Sequence, residues 1–319
     1  MKAIVLKKTG SSDNFMIEEV PDPSVKEREV LVSVKAISVN PVDAAARTNP
    51  QTLLNITGVN IDNNHVILGW DISGIVKSVG SLVTVFKAGD EVFGMVNFPG
   101  YGQAYAEYVA APESHLALKP EKISHEEAAG ATLAALTAWQ ALVIHGKLRS
   151  GEKVLIHAAA GGVGHYAVPI AKSLGAYVVG TSSAKKRDFV LSSGADEHID
   201  YESTRFEDVV HDMDLVVDCI NRTHENIERS LLTLKQGGRL VSLKSFFDDA
   251  FKEKLKKKNV SGHRMMVESN DQQMNGIARL LKEGIIKTHI FHTYLFNEMP
   301  QAHRQIETGK TTGKVIVQV

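Results

Sequence analysis

Cysteine is almost absent from this sequence: Cys219 is the only one among 319 residues. One thiol excludes an intrachain disulfide and any zinc site built from four cysteines. Because Cys219 ends an apolar, strand-like run, we expect it to be an inert buried thiol rather than a nucleophile.

Long apolar runs and a large net charge are missing as well. No run approaches the roughly 18 residues that a membrane-spanning helix needs, and residues 1–8 have too short an apolar core for a signal peptide. The formal net charge is −1, which gives no general attraction to nucleic acid or to an anionic membrane. The length indicates about two domains, and these features together predict a cytoplasmic enzyme.

One stretch has the order of parts that a dinucleotide pyrophosphate requires. A strand candidate at residues 153–157 runs into a turn of small residues, and a helical pattern follows over residues 163–174, with Gly175 as its stop. The backbone must come close to the phosphates, so the side chains of the turn must be small. The helix N-terminus then offers amide groups and a positive dipole end to the anion.

The turn matches the G-x-G-x-x-G fingerprint at two of its three glycines. The three positions fall on Ala159, Gly161 and Gly164, and a Gly-rich turn of any α/β protein is the alternative. A second strand at residues 176–181 completes a βαβ unit, which favours a cofactor site. We predict that valine at Gly161 or Gly164 would abolish cofactor binding and leave the fold largely intact. The predicted contacts in the turn are Ala160, Gly161, Gly162, Val163 and Gly164.

Hydrophobic periodicity divides the chain into two kinds of sequence. The first 120 residues have short strand patterns without helical periodicity, which predicts a mainly antiparallel, barrel-like domain. From residue 151 to about 283 strands and helices alternate, which predicts a parallel, doubly wound sheet. Its strand candidates are 153–157, 176–181, a short one near His198, 214–219 and 239–243. The tail, at residues 291–295 and 314–319, is strand-like again and is expected to rejoin the first part.

An Ala-rich helix is predicted between these two parts. Ser124 and Glu127 form a capping-box pattern, in which each side chain accepts a hydrogen bond from the other residue's amide. We expect one helix over residues 128–144, ended by Gly146 in a left-handed conformation.

Several linked segments carry a family resemblance. They are residues 38–43, 89–94, 105–109, 137–139, 159–164 and 313–315. In this order and spacing the chain resembles the medium-chain dehydrogenase/reductase superfamily, and within it the zinc-free, zeta-crystallin-like quinone oxidoreductase branch. The resemblance covers nearly the whole chain. It implies an α/β fold with two domains: a GroES-like catalytic domain of residues 1–122 and 285–319, and a Rossmann nucleotide-binding domain of residues 123–284, with the active site in a cleft between them.

The zinc ligands of the related alcohol dehydrogenases are replaced in this sequence. Those enzymes use a Cys after the early strand and a His in a Gly-His-Glu triplet. Here the early strand is followed by Asn40, and the matching triplet is Gly69-Trp70-Asp71. His289 and His292 lack companion ligands, and a zinc site needs three or four of them. We therefore predict a zinc-free enzyme.

Without a Lewis acid, the expected substrates are quinones or α,β-unsaturated carbonyl compounds. Their conjugation accepts the hydride charge, so the protein chiefly orients the reactants and stabilises an enolate. Asn40 is the candidate that faces substrate or nicotinamide, and the alternative is an Asn that closes the turn before Pro41. We expect Asp43 at the surface of that turn, with orientation of the loop as the alternative. Many quinone oxidoreductases have an aromatic residue where this chain has Ala45, and Tyr101 is a candidate for a substrate contact or for loop packing.

The end of the second strand predicts NADPH as the cofactor. NAD-dependent enzymes usually place an acid there, but this strand continues into Ser182 and Ser183 with no acid before Asp188. Both hydroxyls and Lys186 can bind a 2′-phosphate, and the alternative is a helix-capping serine followed by solvated basic residues. The resemblance adds Tyr201 near this phosphate, and it implies cofactor contacts of Thr137 and Lys314.

Two further functions stay open on the sequence. One is an enoyl-thioester reductase, and the other is a non-catalytic NADPH-binding redox sensor or RNA-binding protein. The lysine-rich residues 252–258 are more typical of a solvated helical face than of an RNA site, because no aromatic residues are interleaved. The family resemblance implies a homodimer.

Overall fold

A computed structural model describes residues 1–61, 66–220 and 224–319. The chain divides into two compact units, one formed by Met1–Leu136 with Val267–Val319 and the other by Thr137–Met266. These bounds differ from the expected division at 122/123 and 284/285, which stays a prediction. Within the described ranges, no helix has the length and apolar character needed to cross a membrane.

Strands and helices are distributed over the whole chain. The described strands are β1 (Lys2–Leu6), β2 (Phe15–Glu19), β3 (Glu29–Val39), β4 (Val66–Ile67), β5 (Asp71–Val79), β6 (Glu91–Met95), β7 (Tyr108–Pro112), β8 (Leu116–Leu118), β9 (Lys153–Ile156), β10 (Tyr177–Ser182), β11 (Glu197–Asp200), β12 (Met213–Asp218), β13 (Leu234–Ser242), β14 (Ser261–Arg264), β15 (Ile290–Leu295) and β16 (Lys314–Gln318). The described helices are α1 (Pro41–Thr48), α2 (Pro50–Thr57), α3 (His125–Gly130), α4 (Leu133–Trp139), α5 (Gly164–Ser173), α6 (Arg187–Ser192), α7 (Phe206–Val209), α8 (His224–Thr233), α9 (Asp249–Lys257), α10 (Asp271–Lys282) and α11 (Met299–Glu307).

The first unit is built on a mainly antiparallel sheet, as predicted. Its strand order is β15-β16-β3-β5-β6-β8, with β7 also paired to β3, and β2-β1-β4 form a smaller sheet. The C-terminal strand β16 runs antiparallel to β3, where Val315 lies opposite Val39. This pairing places the last residues of the chain beside the turn that follows β3, which confirms that the tail rejoins the first part.

The second unit has the predicted doubly wound parallel sheet. Its order is β11-β10-β9-β12-β13-β14, and every pairing in it is parallel. The central strands β9 and β12 are apolar and buried, as is typical of strands covered by helices on both faces. The strand order reverses between β9 and β12, and ligands of such sheets bind outside the carboxyl ends of the strands at this point.

The expectation of strands without helices over the first 120 residues was wrong at residues 41–57. These residues form α1 and α2, each with a proline in its first turn, where the missing N–H leaves no helical bond unmade. The Asn49 side chain accepts from the amide of Thr52 and caps α2. The helices are only eight residues long, so their periodicity is too short to stand out in the sequence.

The predicted Ala-rich helix is interrupted. The capping box is confirmed, because Ser124 Oγ accepts from the Glu127 amide at 3.1 Å and the Glu127 carboxylate accepts from the Ser124 amide at 2.9 Å. However, α3 ends at Gly130, and α4 begins at Leu133, whose amide donates to Asp71 at 3.1 Å. The Leu133 amide thus donates to the buried Asp71 carboxylate, whereas in a continuous helix it would donate to a backbone carbonyl of α3.

The end of this region also differs from the prediction. Residues 140–145 form a π-helical turn, and the Gly146 amide donates to the carbonyl of Ala141 at 2.8 Å. Gly146 has φ −72°, in the right-handed region. The left-handed residue is Lys147, with φ 46°. In the wider π turn the Gly146 amide is still hydrogen-bonded within the helix, so the left-handed residue that ends the helix comes one position later.

Candidate functional site

The turn between β9 and α5 has the geometry of a phosphate-binding loop. The chain leaves β9 through Ala158, which has φ 51°, and the Gly161 amide donates to the Ala158 carbonyl at 2.8 Å. The amide of His165 donates to the Gly161 carbonyl at 3.1 Å and is an early bond of the helix. The first amides of a helix lack an intrahelical acceptor, so those of residues 162–164 are the groups that an anion would meet.

Gly161 and Gly164 differ in the space available for a side chain, which corrects one prediction. A Cβ on Gly161 would lie 3.2 Å from the Ala158 carbonyl oxygen and 3.9 Å from its Cβ, with nothing else close. A Cβ on Gly164 would collide with the Ala158 carbonyl and lie 2.6 Å from the Cα of Ala159. Valine at Gly164 would thus damage the fold, whereas the space beside Gly161 is open, and its use by a pyrophosphate stays a prediction. The turn fits a dinucleotide.

The predicted 2′-phosphate residues gather at the carboxyl ends of β10 and β11. Ser182 is buried, and its hydroxyl donates to the Ser183 carbonyl at 3.2 Å. Lys186 lies in the short 3₁₀ turn that follows, and partial burial lowers the pKa of its ammonium. Tyr201 is 54% exposed next to this edge. The structure therefore brings Ser182, Ser183, Lys186 and Tyr201 to one edge, and their binding role stays a prediction.

Two residues at this edge were missed by sequence reasoning. His198 Nε2 lies 2.8 Å from Ser182 Oγ, and the Asp200 carboxylate accepts from the amide of Ala184 at 3.1 Å. The Ser203 hydroxyl donates to the other oxygen of Asp200 at 2.7 Å, and this bond lowers the pKa of Asp200. The parallel pairing of Ser182 with Asp200 causes this proximity, and the two strand patterns could have predicted it.

A second polar group lies in the first unit, around Asn40. The Asn40 amide nitrogen donates to Asp71 at 2.7 Å and to the Ser38 carbonyl at 3.4 Å. Its amide oxygen accepts from Lys314. Asn40 also occupies the N-cap position of α1, in agreement with the turn-closing alternative, and its contact with substrate or nicotinamide stays a prediction. The structure thus joins Asn40, Asp71 and Lys314 into one buried triad.

The expectation of a surface Asp43 was wrong. Asp43 is 0% exposed, and its carboxylate accepts from the backbone N–H of Asn40 at 2.7 Å, at the N-cap of α1. Burial and, to a smaller extent, the nearby charge of Asp71 raise the pKa of Asp43 to about 7, against the opposing hydrogen bonds from the Asn40 backbone N–H and the Tyr105 hydroxyl. The capping pattern from Asn40 to Asp43 could have predicted an inward carboxylate.

Charge in this cluster is only partly compensated. Burial raises the pKa of Asp71, and the Lys314 ammonium opposes that shift. Burial lowers the pKa of Lys314, and the carboxylates of Asp71 and Asp43 oppose that shift. One ammonium thus faces two carboxyl groups. Lys314 is 2% exposed, and its predicted contact with a cofactor stays a prediction, as does that of Thr137, which is buried on α4.

The buried polar region continues through a histidine. Arg47 Nε donates to His303 Nδ1 at 3.3 Å, and His303 Nε2 lies 3.0 Å from the Tyr105 hydroxyl. The Arg47 guanidinium also donates to the Gly10 carbonyl and to Glu307. Burial, helped by the Arg47 charge, lowers the pKa of His303 to about 3. His303 is therefore neutral and connects α1 to α11.

The residues at the zinc-ligand positions do not fit a zinc ion. Asn40 uses its amide oxygen to accept from Lys314, and the Trp70 indole N–H donates to the Gly100 carbonyl at 2.8 Å. Neither group is a usual zinc ligand. Across residues 1–61, 66–220 and 224–319, no cluster of three or more His, Cys, Asp or Glu side chains could hold a metal ion.

The structure also places two further candidate residues and one candidate segment. Cys219 is partly buried, and burial raises the pKa of its thiol. The Tyr101 hydroxyl accepts from the Ile67 amide at 3.1 Å. The lysine-rich residues 252–258 lie on α9 and its C-terminal end, with Leu255 buried and most of the lysines exposed, as for a solvated helical face.

Known proteins resemble this chain over its whole length. Residues 26–121 match the family described as "Alcohol dehydrogenase GroES-like domain", and residues 193–317 match "Zinc-binding dehydrogenase". The 2-methylene-furan-3-one reductase of Solanum lycopersicum is 32% identical over 327 residues, which cover 99% of this chain and 79% of that protein. The chain belongs to the medium-chain dehydrogenase/reductase superfamily. Its place is in the quinone oxidoreductase-like branch.

Members of this superfamily share the fold described above. The quinone oxidoreductase from Coxiella burnetii has a TM-score of 0.91 at 31% identity, covering 100% of this chain and 99% of that one. The "NADPH-dependent alkenal/one oxidoreductase, chloroplastic" of Arabidopsis thaliana is 32% identical over 99% of this chain and 79% of its own length. The predicted family and fold class are thereby confirmed.

Stability of the first unit is expected to fall as the pH rises, in part through Asp43. Its folded pKa of about 7 lies above the ordinary 3.8, so its contribution is fully present below about pH 4 and is lost as the pH rises through 7. The difference corresponds to at most about 4 kcal/mol. Asp43→Asn should reduce the difference in the free energy of unfolding between pH 5 and pH 8, measured by urea unfolding. An equal difference between the two pH values in wild type and variant would contradict the raised pKa of Asp43.

Proposed function

We propose that this protein is an NADPH-dependent reductase that transfers hydride to a quinone or an α,β-unsaturated carbonyl compound without zinc. The observation that carries the proposal is an open phosphate turn at Gly161 in a chain whose zinc-ligand positions are Asn40 and Trp70. When bound, the nicotinamide supplies the hydride. A conjugated carbonyl needs no metal to accept it, because the charge spreads onto the substrate oxygen.

The hydrogen bonds of Asn40 limit its role to orientation. A side-chain amide has two N–H groups and two acceptor positions. Both N–H groups of Asn40 are directed to acceptors on Asp71 and Ser38, and one acceptor position is used by Lys314. The Asn40 side chain can therefore only accept one further hydrogen bond. We assign it to accept from a donor such as the carboxamide N–H of the nicotinamide. Asn40 is not the group that stabilises an enolate oxygen.

The names of relatives support the substrate class. Proteins at 32% and 29% identity are called "NADPH-dependent alkenal/one oxidoreductase, chloroplastic" and "Quinone oxidoreductase". A solved structure at 26% identity and TM-score 0.87 is of "CurK enoyl reductase", which keeps an enoyl-thioester reductase as the second candidate. A homodimer, a cytoplasmic location and the absence of nucleic-acid binding stay predictions, as does the sensor alternative.

One assay separates these candidates. NADPH oxidation is followed with 1,4-benzoquinone, 2-hexenal and crotonyl-CoA, and we expect turnover with the first two and little with the thioester. Elemental analysis should find no stoichiometric zinc, and chelators should leave the rate unchanged. Turnover of the thioester alone would favour the second candidate, and no turnover of any substrate would favour a sensor. Activity that is lost with a bound zinc would contradict the zinc-free proposal.

NADPH preference is expected to depend on Lys186. A charge-assisted hydrogen bond contributes about 1.5–3 kcal/mol, and about 1.4 kcal/mol is tenfold. Lys186→Ala should therefore raise KM for NADPH about ten- to a hundredfold and barely change KM for NADH. Lys185→Ala, on the adjacent residue of the same 3₁₀ turn, is the matched control. Equal losses with both cofactors, or a wild-type preference for NADH, would refute the role.

A further inference from the structure

The loop after β6 is held in place at several points. Asn97 has φ 52°, its amide donates to His115 Nδ1 at 3.0 Å, and its side chain donates to the Tyr101 carbonyl at 3.3 Å. The amide of Phe98 donates to Ser269 Oγ at 2.9 Å, and the Ser269 amide returns a bond of 2.9 Å to the Phe98 carbonyl. Such a loop presents its side chains in a fixed arrangement.

This loop borders a groove of about 460 Å³ in the first unit. Tyr101, Phe98 and His115 contribute to its walls. The volume lies in the range of small-molecule sites, which combine aromatic walls with a few fixed polar groups. Trp70 lies behind it, with its ring edge-on to Phe98 at a centroid distance of 5.1 Å. The groove therefore suits a planar ligand the size of a quinone ring.

The Tyr101 hydroxyl is prepared to donate. It accepts from the Ile67 amide at 3.1 Å, and the Gln103 side chain also interacts with it. A hydroxyl that accepts a hydrogen bond through its oxygen keeps its own O–H for donation. Burial raises the pKa of Tyr101, so the proton stays on.

His115 is a second neutral donor in the same groove. Its Nδ1 accepts from the Asn97 amide, so the proton of the neutral ring is on Nε2. Burial lowers the pKa of His115, and the charge of Asp271 opposes this only in part. The ring is thus neutral at physiological pH. Two neutral donors in a groove that Glu268 also lines match carbonyl oxygens better than anions.

We propose that this groove binds the substrate, with the Tyr101 hydroxyl donating a hydrogen bond to the carbonyl oxygen of a quinone or enone. The inference rests on the proposed function and names its substrate site. As hydride adds to the conjugated system, negative charge develops on that oxygen, and a fixed donor stabilises it more than the ground-state carbonyl. Tyr101 keeps its proton throughout, so no proton transfer is required of it.

The fluorescence of Trp70 can measure ligand binding in the groove without cofactor or turnover. In a Trp139→Phe background Trp70 is the only tryptophan, and it donates to Gly100 in the loop itself. Titration with 1,4-naphthoquinone should quench its fluorescence in a saturable manner. Tyr101→Phe should raise the Kd about two- to tenfold, as for one neutral hydrogen bond. Naphthalene, which has the rings without oxygens, should compete equally well in both proteins.

Steady-state kinetics complete the test. Tyr101→Phe should lower kcat/KM for 1,4-benzoquinone about a hundredfold, with unchanged NADPH affinity. Tyr108→Phe, on β7 beside Lys77, is the matched control and should behave as wild type. Absence of saturable quenching, or unchanged Kd and kcat/KM in Tyr101→Phe, would overturn the proposal. Carbonyl-dependent binding without any turnover in wild type would instead overturn the proposed function and keep the groove as a carbonyl site.

Discussion

Gly161→Val is expected to weaken NADPH binding by more than a hundredfold while the protein still folds. The side chain would enter the open space above the turn, where a Cβ meets only Ala158 at 3.2 Å. It would keep the pyrophosphate from the helix-terminal amides, and loss of two charge-assisted bonds at about 1.5–3 kcal/mol each exceeds a hundredfold in affinity. Fluorescence titration with NADPH measures the change.

Gly164→Val provides the contrast within the same turn. Its side chain would collide with the backbone of Ala158 and Ala159, so we expect lost stability rather than a selective binding defect. Gly276→Val, at a glycine of α10 with nothing within 4 Å of its Cβ, should leave cofactor affinity unchanged. Far-UV circular dichroism and thermal unfolding report the fold. A folded Gly161→Val protein with wild-type affinity would place the cofactor elsewhere.

Lys314→Met is expected to lower the free energy of unfolding by about 3–5 kcal/mol, the usual cost of removing one partner from a buried ion pair. Lys314 is 2% exposed and supplies the ammonium that faces Asp71 and Asp43. Without it, two buried carboxyl groups lie near each other with no opposite charge from Lys314. The loss should be smaller near pH 5 than at pH 8, because protonation of Asp43 removes part of the repulsion.

A double-mutant cycle tests the electrostatic cause. Adding Asp71→Asn to Lys314→Met removes the uncompensated charge, and we expect recovery of about half of the lost stability. Trp70 fluorescence in the Trp139→Phe background follows unfolding of the first unit, because Trp70 is buried there. Lys310→Met, at an exposed lysine before the same strand, is the matched control. Strictly additive losses would contradict the coupling.

Local pattern was sufficient for five of the six described strands of the second unit, and only β14 was not predicted. Alternating apolar runs and helical periods over residues 151–283 predicted strands β9 to β13 within a few residues, and their all-parallel pairing followed from the alternation. The small-residue turn after β9 was also visible, because the backbone conformation of such a turn depends on the residues in it. A period of 2 or 3.6 residues is a property of neighbours in the chain, so the sequence by itself predicted these elements.

Polar contacts between distant segments needed the tertiary structure. The bond from Lys314 to Asn40 joins residues 274 positions apart, and the charges of Asp71 and Lys314 that act on Asp43 come from other segments of the chain. The Asp71 carboxylate accepts the amide of Leu133, the first residue of α4, from 62 positions away in the chain.

The sequence by itself therefore determined the doubly wound sheet and the small-residue turn, which depend on residues close together in the chain, and the family, which depends on the order and spacing of short local motifs. Only the tertiary structure decided which glycine of the turn is free for a ligand and which is packed against backbone. It also decided that Asn40, Asp71 and Lys314 share one buried hydrogen-bonded group. The physical reason is that steric collision and the burial of charge depend on atoms that folding brings together from distant parts of the chain.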